Sequence, residues 1–172
     1  MVLAILAHIN PFAKPKVKRK ELMKISDYLD SRLVSFLDVD TRDEAIDVLI
    51  NLLDAKGHLP DKAAFRNAIF QREQLVSTGI GMGVAIPHAK LKEFSDFSIA
   101  IGIQQKKGID WNALDLAPVR LIFLIAGPDH KQTEYLQILS LLTSSIRSMD
   151  LRKKLLNARD SEEVLQVFLL SN

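Results

Sequence analysis

Apolar residues recur at helical spacing in two segments of the first half of the chain. The segment TRDEAIDVLINLLDA opens with Thr41 and Glu44, which are spaced as a capping box, and its apolar positions then repeat every three or four residues. This pattern predicts a helix over 42–55. Asp61 starts a second stretch of helical spacing, KAAFRNAIFQRE, and Arg72 falls at its end. The sequence therefore predicts two consecutive helices.

In the middle of the chain the pattern changes from helical spacing to short apolar runs. The segments FSIAIGI (97–103) and VRLIFLIAG (119–127) are rich in branched residues and bounded by turn formers, which predicts two buried strands. Helical spacing returns over 133–148, and Asp160 and Glu163 give the start signal of a last helix. Helices around a central run of strands are typical of an α/β fold with one sheet.

The composition indicates a single globular domain. The chain has 172 residues, of which 48% are hydrophobic and 26% are charged. No apolar stretch approaches the roughly 18 residues that a membrane span needs, so we expect a cytoplasmic protein without a membrane span. The sequence contains no cysteine, which excludes disulfides, thiolate metal sites and a cysteine nucleophile. The histidines other than His88 lack metal-ligand spacing, so no metal is expected.

Positive charge is concentrated at the start of the chain. Residues 1–22 carry a net charge of +4, so the remainder of this chain of net charge +2 sums to −2. Because the cluster forms a tail and is not spread over a folded face, nucleic acid is not an expected partner. We expect 1–22 to be a disordered basic extension before a domain at 23–172. The alternatives are a natural start at Met23 and a docking arm for an acidic partner or a membrane surface.

One segment carries the candidate chemistry, STGIGMGVAIPHAK at 77–90. Gly79, Gly81 and Gly83 permit positive φ angles and leave backbone N–H groups unshielded, which suits a nest around an anion. Their spacing matches neither the dinucleotide fingerprint nor a P-loop, so nucleotide binding is disfavoured. Pro87 has a fixed φ and directly precedes His88. The residues alone are consistent with a chemical role for this histidine and with a structural one.

The same segment, with Arg72 and Glu73 upstream, resembles the active-site signature of the enzyme IIA proteins of the fructose/mannitol class in the bacterial phosphotransferase system. The STGIG form is most similar to the nitrogen-regulatory branch. The resemblance implies a single mixed β-sheet flanked by helices. It also implies that His88 is the phosphorylated residue and that Arg72 flanks it. From the residues alone, a surface salt bridge remains the alternative role for this arginine.

The chain departs from the family pattern at a second histidine, which the family often has near the start of a later helix. Here the sequence reads TEYLQIL, so Tyr135 is expected at that place, with His130 and Glu134 as further candidates. Tyrosine can donate a hydrogen bond to a phosphate, but it does not become a cation near neutral pH. The substitution leaves the nucleophile in place, and its effect falls on how the phosphorylated imidazole is oriented and released.

The resemblance implies a phosphocarrier or regulator that uses no cofactor. Its donor would be a phosphohistidine carrier of the HPr type. Its acceptors would be regulatory target proteins or, in a sugar-transporting system, a separate IIB component. A binding module that works without phosphorylation is the remaining alternative, because Tyr135 replaces the usual histidine. The sequence does not indicate an oligomeric state.

Overall fold

A computed structural model describes residues 23–171, and the extension predicted at 1–22 lies outside them. Two short 3-10 turns at Ile25–Tyr28 and Ser31–Leu33 precede the regular elements. The strands are β1 (Val34–Leu37), β2 (Gly79–Gly81), β3 (Val84–Ala85), β4 (His88–Leu91), β5 (Ser98–Gln104) and β6 (Leu121–Pro128). The helices are α1 (Arg42–Ala55), α2 (Lys62–Leu75), α3 (Gln132–Ile146), α4 (Met149–Asn157) and α5 (Ser161–Leu169).

All six strands form one mixed sheet, which confirms the expected fold class. The strand order is β1-β5-β6-β3-β2, and β4 pairs with β6 beyond the end of β3. The pairs β1–β5, β3–β6 and β4–β6 are parallel, whereas β5–β6 and β2–β3 are antiparallel. β6 is therefore the central strand, and it aligns the two short strands β3 and β4 end to end along one side.

Helices cover both faces of this sheet. Alternate residues of β5 and β6 point to opposite sides, so Leu124 belongs to an apolar cluster with α1 and α2, and Phe123 belongs to a second cluster with α3, α4 and α5. Every residue of β6 is buried as a result. Among residues 23–171, no helix combines the length and the apolar character that crossing a membrane requires.

The capping box predicted for α1 is present. The Thr41 hydroxyl accepts a hydrogen bond from the Glu44 N–H at 3.2 Å, and the Glu44 carboxylate accepts one from the Thr41 N–H at 3.1 Å. Thr41→Ala should therefore lower the free energy of unfolding by about 1 kcal/mol, because one helical N–H loses its partner. Urea unfolding measures this loss, and Thr41→Ser, which keeps the hydroxyl, should lose much less. Equal losses in the two variants would contradict the capping role.

Candidate functional site

His88 is held by the backbone at the start of β4. The strand pairs with β6 so that His88 lies opposite Ile125, and the Ile125 N–H donates to the Pro87 carbonyl at 2.9 Å. The Nδ1 atom of His88 lies 3.0 Å from the carbonyl oxygen of Ile86. A carbonyl oxygen only accepts, so Nδ1 carries the proton of the neutral ring and Nε2 carries the lone pair. The half-buried ring therefore offers Nε2 as its nucleophilic atom.

Arg72 contacts this nucleophilic atom directly. Its Nε donates to Nε2 of His88 at 3.2 Å, and its Nη1 donates to the Val76 carbonyl at 2.9 Å. Arg72 lies in the last turn of α2, where the unpaired carbonyls of a helix favour a positive charge. The guanidinium is thus held between the end of a helix and the imidazole, which places a cation beside the lone pair.

The pKa of His88 is lowered from its ordinary value of 6.5. Burial of the ring is the main cause, and the positive charges of Arg72 and Lys90 act in the same direction. The hydrogen bond to the Ile86 carbonyl and the charge of Glu73 oppose the shift. The imidazole is therefore neutral at neutral pH, as a nitrogen nucleophile must be.

Tyr135, the residue that we expect in place of the second histidine, lies beside His88. The two ring centroids are 5.6 Å apart, and the Phe97 ring stacks near Tyr135 with its centroid 6.2 Å from that of the tyrosine. Burial raises the pKa of Tyr135 to about 12, so its hydroxyl stays protonated. Tyr135 can therefore donate a hydrogen bond at this place, but it adds no charge.

A second cation, Lys90, reaches the site from β4. Its Nζ lies 4.4 Å from the centre of the Tyr135 ring and donates to the side-chain oxygen of Gln132. Sequence reasoning missed Lys90, although its place two residues after His88 on a strand puts both side chains on the same face. Two cations around a neutral imidazole suit an anionic group and would repel a metal cation.

The other two second-site candidates point elsewhere. The exposed His130 has its Nδ1 3.7 Å from a carboxylate oxygen of Asp129. The Glu134 carboxylate accepts a hydrogen bond from the Tyr28 hydroxyl at 3.1 Å. Of the three candidates, the structure therefore brings only Tyr135 against the imidazole of His88.

Two of the three glycines lie away from His88. Gly81 and Gly83, with φ angles of 90° and 74°, belong to the tight connection from β2 to β3. The Gly83 carbonyl accepts from the N–H of Leu121, whereas His88 pairs with Ile125, four residues further along β6. Four residues of strand span about 13 Å. Gly81 and Gly83 therefore lie too far along the sheet to share one anion site with His88.

A carboxylate already occupies the turn where the sequence predicted an anion. The N–H of Met82 donates to Asp115 at 2.8 Å, and a Cβ added to Gly81 would lie 3.0 Å from the same carboxylate. Gly79 does not adopt a positive φ; it lies in β2, where a Cβ would come within 2.8 Å of the Ala113 side chain. The glycines therefore allow close packing of the β2–β3 hairpin and do not form the expected anion nest.

A buried chain of hydrogen bonds begins at Glu73, the residue that follows Arg72 in α2. Glu73, which is only 4% exposed, accepts from the Thr78 N–H at 3.0 Å and from the Thr78 hydroxyl at 2.6 Å. The indole N–H of Trp111 donates to the Thr78 hydroxyl at 3.2 Å. We call these three residues the Glu73 clamp. No pattern in the sequence signals this hydrogen bond of Trp111.

The lowered pKa of His88 predicts how stability depends on pH. Below about pH 6.5 the unfolded chain binds a proton at this imidazole, whereas the folded protein does so only at lower pH. The free energy of unfolding should therefore decrease as the pH falls from 6.5 through the lowered pKa. His88→Gln cannot titrate and should lack this part of the decrease. Urea unfolding of both proteins across this range measures the difference, and parallel curves would contradict the assignment.

Comparison with known proteins identifies the family. The family described as "Phosphoenolpyruvate-dependent sugar phosphotransferase system, EIIA 2" matches residues 27–170. The fructose-specific EIIA component of Haloferax volcanii is 37% identical over 127 residues, which cover 74% of this chain and 82% of that protein. The fructose-specific EIIABC component of Bacillus subtilis is 34% identical over 146 residues, which are 84% of this chain but only 23% of that longer protein.

A solved structure agrees with this relationship. The nitrogen regulatory protein IIA-Ntr from Neisseria meningitidis superposes with a TM-score of 0.76 at 29% identity, covering 84% of this chain and 98% of that one. Because the family match spans nearly all of the described residues, the chain belongs to the EIIA 2 family of the phosphoenolpyruvate-dependent sugar phosphotransferase system.

Proposed function

We propose that the protein is a phosphocarrier that accepts a phosphoryl group on Nε2 of His88. The observation that carries this proposal is the hydrogen bond from Nδ1 of His88 to the Ile86 carbonyl, because it leaves the lone pair on Nε2, next to Arg72. The family membership supports a phosphocarrier role. The donor we propose is a phosphohistidine carrier of the HPr type.

The transfer moves one phosphoryl group between two imidazoles. The lone pair of Nε2 forms the new N–P bond while the donor's N–P bond breaks, and that electron pair returns to the donor nitrogen. The ring of His88 gains positive charge as the bond forms. Because Nδ1–H points at the Ile86 carbonyl oxygen, this charge is stabilised without a proton transfer.

Arg72 has to change its partner during the reaction. In the resting protein its Nε is hydrogen-bonded to the lone pair that must attack. An incoming phosphoryl group offers charged oxygens, which are stronger acceptors than a neutral imidazole. We infer that the guanidinium turns from Nε2 to the phosphoryl oxygens, where the charge of a loose transition state accumulates. Lys90, whose Nζ lies over the Tyr135 ring beside His88, offers a second positive charge to the phosphoryl oxygens.

Intact-mass measurement tests this proposal. Wild-type protein incubated with phosphoenolpyruvate, enzyme I and HPr should gain one acid-labile phosphoryl group, and His88→Ala should gain none. His130→Ala provides the matched control, because that exposed histidine lies outside the site and its removal should leave the gain unchanged. No gain by wild-type protein, with a donor that phosphorylates another IIA, would contradict the proposal. The binding module that works without phosphorylation would then be favoured.

The proposed downstream role depends on the negative charge that a phosphoryl group would add at His88. A phosphoryl group adds roughly −1.5 to −2 charges to a half-buried site that now holds two cations, which changes the surface offered to a partner. We propose that target proteins recognise this change, in line with the similarity to the nitrogen regulatory protein. The second candidate is transfer to a separate IIB, which the similarity to the fructose-specific components favours. Incubation of the phosphorylated protein with a fructose IIB, followed by mass measurement of both, distinguishes the two.

We also propose that residues 23–172 form the functional domain and that 1–22 are an extension without a part in transfer. The family match over 27–170 supports this division. A shortened chain that begins at Met23 should accept the phosphoryl group at the wild-type rate. A slower rate would assign the basic segment to donor docking.

A further inference from the structure

The Glu73 clamp closes the chain back onto the last turn of α2. Glu73 receives both the N–H and the hydroxyl of Thr78, five residues later, so the intervening segment is tied into a loop. Val76 lies inside this loop, and its carbonyl accepts from Nη1 of Arg72 at 2.9 Å. The same guanidinium reaches His88 through Nε. The position of the arginine therefore depends on a loop that the carboxylate closes.

We propose that Glu73 is a positioning residue, which through Thr78 and Val76 fixes the place where the Arg72 guanidinium meets His88. This inference rests on the proposed phosphocarrier function, because it explains how the site is held ready for transfer. The hydrogen bonds of the Glu73 carboxylate go to Thr78 and not to the imidazole. The carboxylate acts through the loop that holds the arginine.

The chemistry of the clamp favours this role over simple packing. A buried carboxylate is costly unless its oxygens are hydrogen-bonded, so an apolar side chain would serve packing alone at least as well. Here each oxygen receives a different donor of the same residue, which fixes both the backbone and the side chain of Thr78. The Trp111 N–H then orients the Thr78 hydroxyl toward the carboxylate. The clamp therefore specifies one loop geometry.

Two substitutions of Thr78 test the inference in the full chain. Thr78→Val keeps the shape of the side chain but removes the hydroxyl that joins Glu73 to Trp111. We expect transfer from phosphorylated HPr to slow by about 10- to 100-fold, which is the range expected when a catalytic group is misplaced by up to about 1 Å. Thr78→Ser restores the hydroxyl and should recover most of the rate. Rapid-quench measurement of phosphoprotein formation gives both rates.

A second measurement needs no donor and is insensitive to a loss of stability alone. The charged and titratable groups around the His88 ring are Arg72 and Glu73 on α2, Lys90 on β4 and Tyr135 on α3. Thr78→Val substitutes none of these four residues. If the guanidinium moves away, its positive charge no longer lowers the pKa of His88. The NMR titration midpoint of the imidazole should therefore rise toward its ordinary value.

The outcomes separate the positioning role from the proposed function. Ile46→Val, in the apolar cluster on the same side of the sheet, should lower stability and change neither the rate nor the midpoint. If Thr78→Val has the wild-type transfer rate and the wild-type titration midpoint of His88, the positioning role is overturned. If wild-type protein accepts no phosphoryl group, the proposed function fails, and the titration still decides the positioning. If Thr78→Val does not fold, Trp111→Phe removes the indole N–H together with part of the ring, and an unchanged midpoint in that variant would also overturn the role.

Discussion

Arg72→Ala should slow the phosphorylation of His88 by about 10²- to 10³-fold, the range found when one donor is removed from a preorganised site for developing negative charge. The guanidinium lies 3.2 Å from the attacking atom, so it is already in place when the phosphoryl group arrives. Removal of the Arg72 charge should also raise the pKa of His88, because this cation lowers it in the wild-type protein. Transfer kinetics from phosphorylated HPr, measured at a fixed neutral pH, give the effect.

The same helix supplies a matched control. Arg66 lies six residues earlier in α2, pairs with Asp47 at 2.7 Å and has its guanidinium over the Phe70 ring. Arg66→Ala also removes one arginine from α2, but it should leave the transfer rate unchanged. Circular dichroism should show that both variants are folded. Wild-type kinetics in Arg72→Ala would show that the arginine has no role in transfer.

Gly127→Ala should produce the largest loss of stability, about 1–3 kcal/mol in the free energy of unfolding. A Cβ at this position of β6 would lie 2.0 Å from Cδ1 and 2.3 Å from Cε1 of the Phe97 ring. Phe97 is buried and stacks against Tyr135, so its ring cannot swing into solvent. The strain should also reach the site, because Tyr135 contacts His88. Urea unfolding and transfer kinetics measure the two effects.

A compensating substitution shows whether this clash is the cause. Phe97→Leu makes room beside β6, so Gly127→Ala should cost less in a protein that already carries Phe97→Leu than in the wild type. The two substitutions share one contact, and their effects should therefore not add. If the glycine substitution costs the same in both backgrounds, the loss has a different origin, such as the strand backbone.

The parts of the fold that the sequence predicted are those with local signals. α1, α2 and α5 begin after Thr41, Asp61 and Asp160, whose side chains each accept a hydrogen bond from an N–H of the first turn. β5 and β6 are long apolar runs because both of their faces are covered. β1 and β4 escaped prediction because they are four residues long and mostly half-buried. α4 also escaped, since only Leu151 and Leu155 are buried along it.

The sequence predicted individual residues of the site but not which of them lie next to one another. The resemblance named His88 and Arg72, and the structure brings them into contact. The register of β3 and β4 along β6 decides which neighbours share the site, and no local pattern encodes that register. This is why the prediction included Gly81 and Gly83, whereas Lys90 was missed because β4 itself was not predicted as a strand. The Glu73 clamp was missed for the same kind of reason, because it depends on the chain turning back after α2.

The contact between His88 and the Ile86 carbonyl has a consequence for how this protein is studied by mutation. The atom that selects the reactive nitrogen belongs to the main chain, so every side chain at position 86 supplies it equally. A comprehensive mutational scan would therefore score Ile86 for its buried side chain and assign it no chemical role. Because proline follows it, the Ile86 carbonyl belongs to a tertiary amide, and only a change in the main chain itself would remove this acceptor.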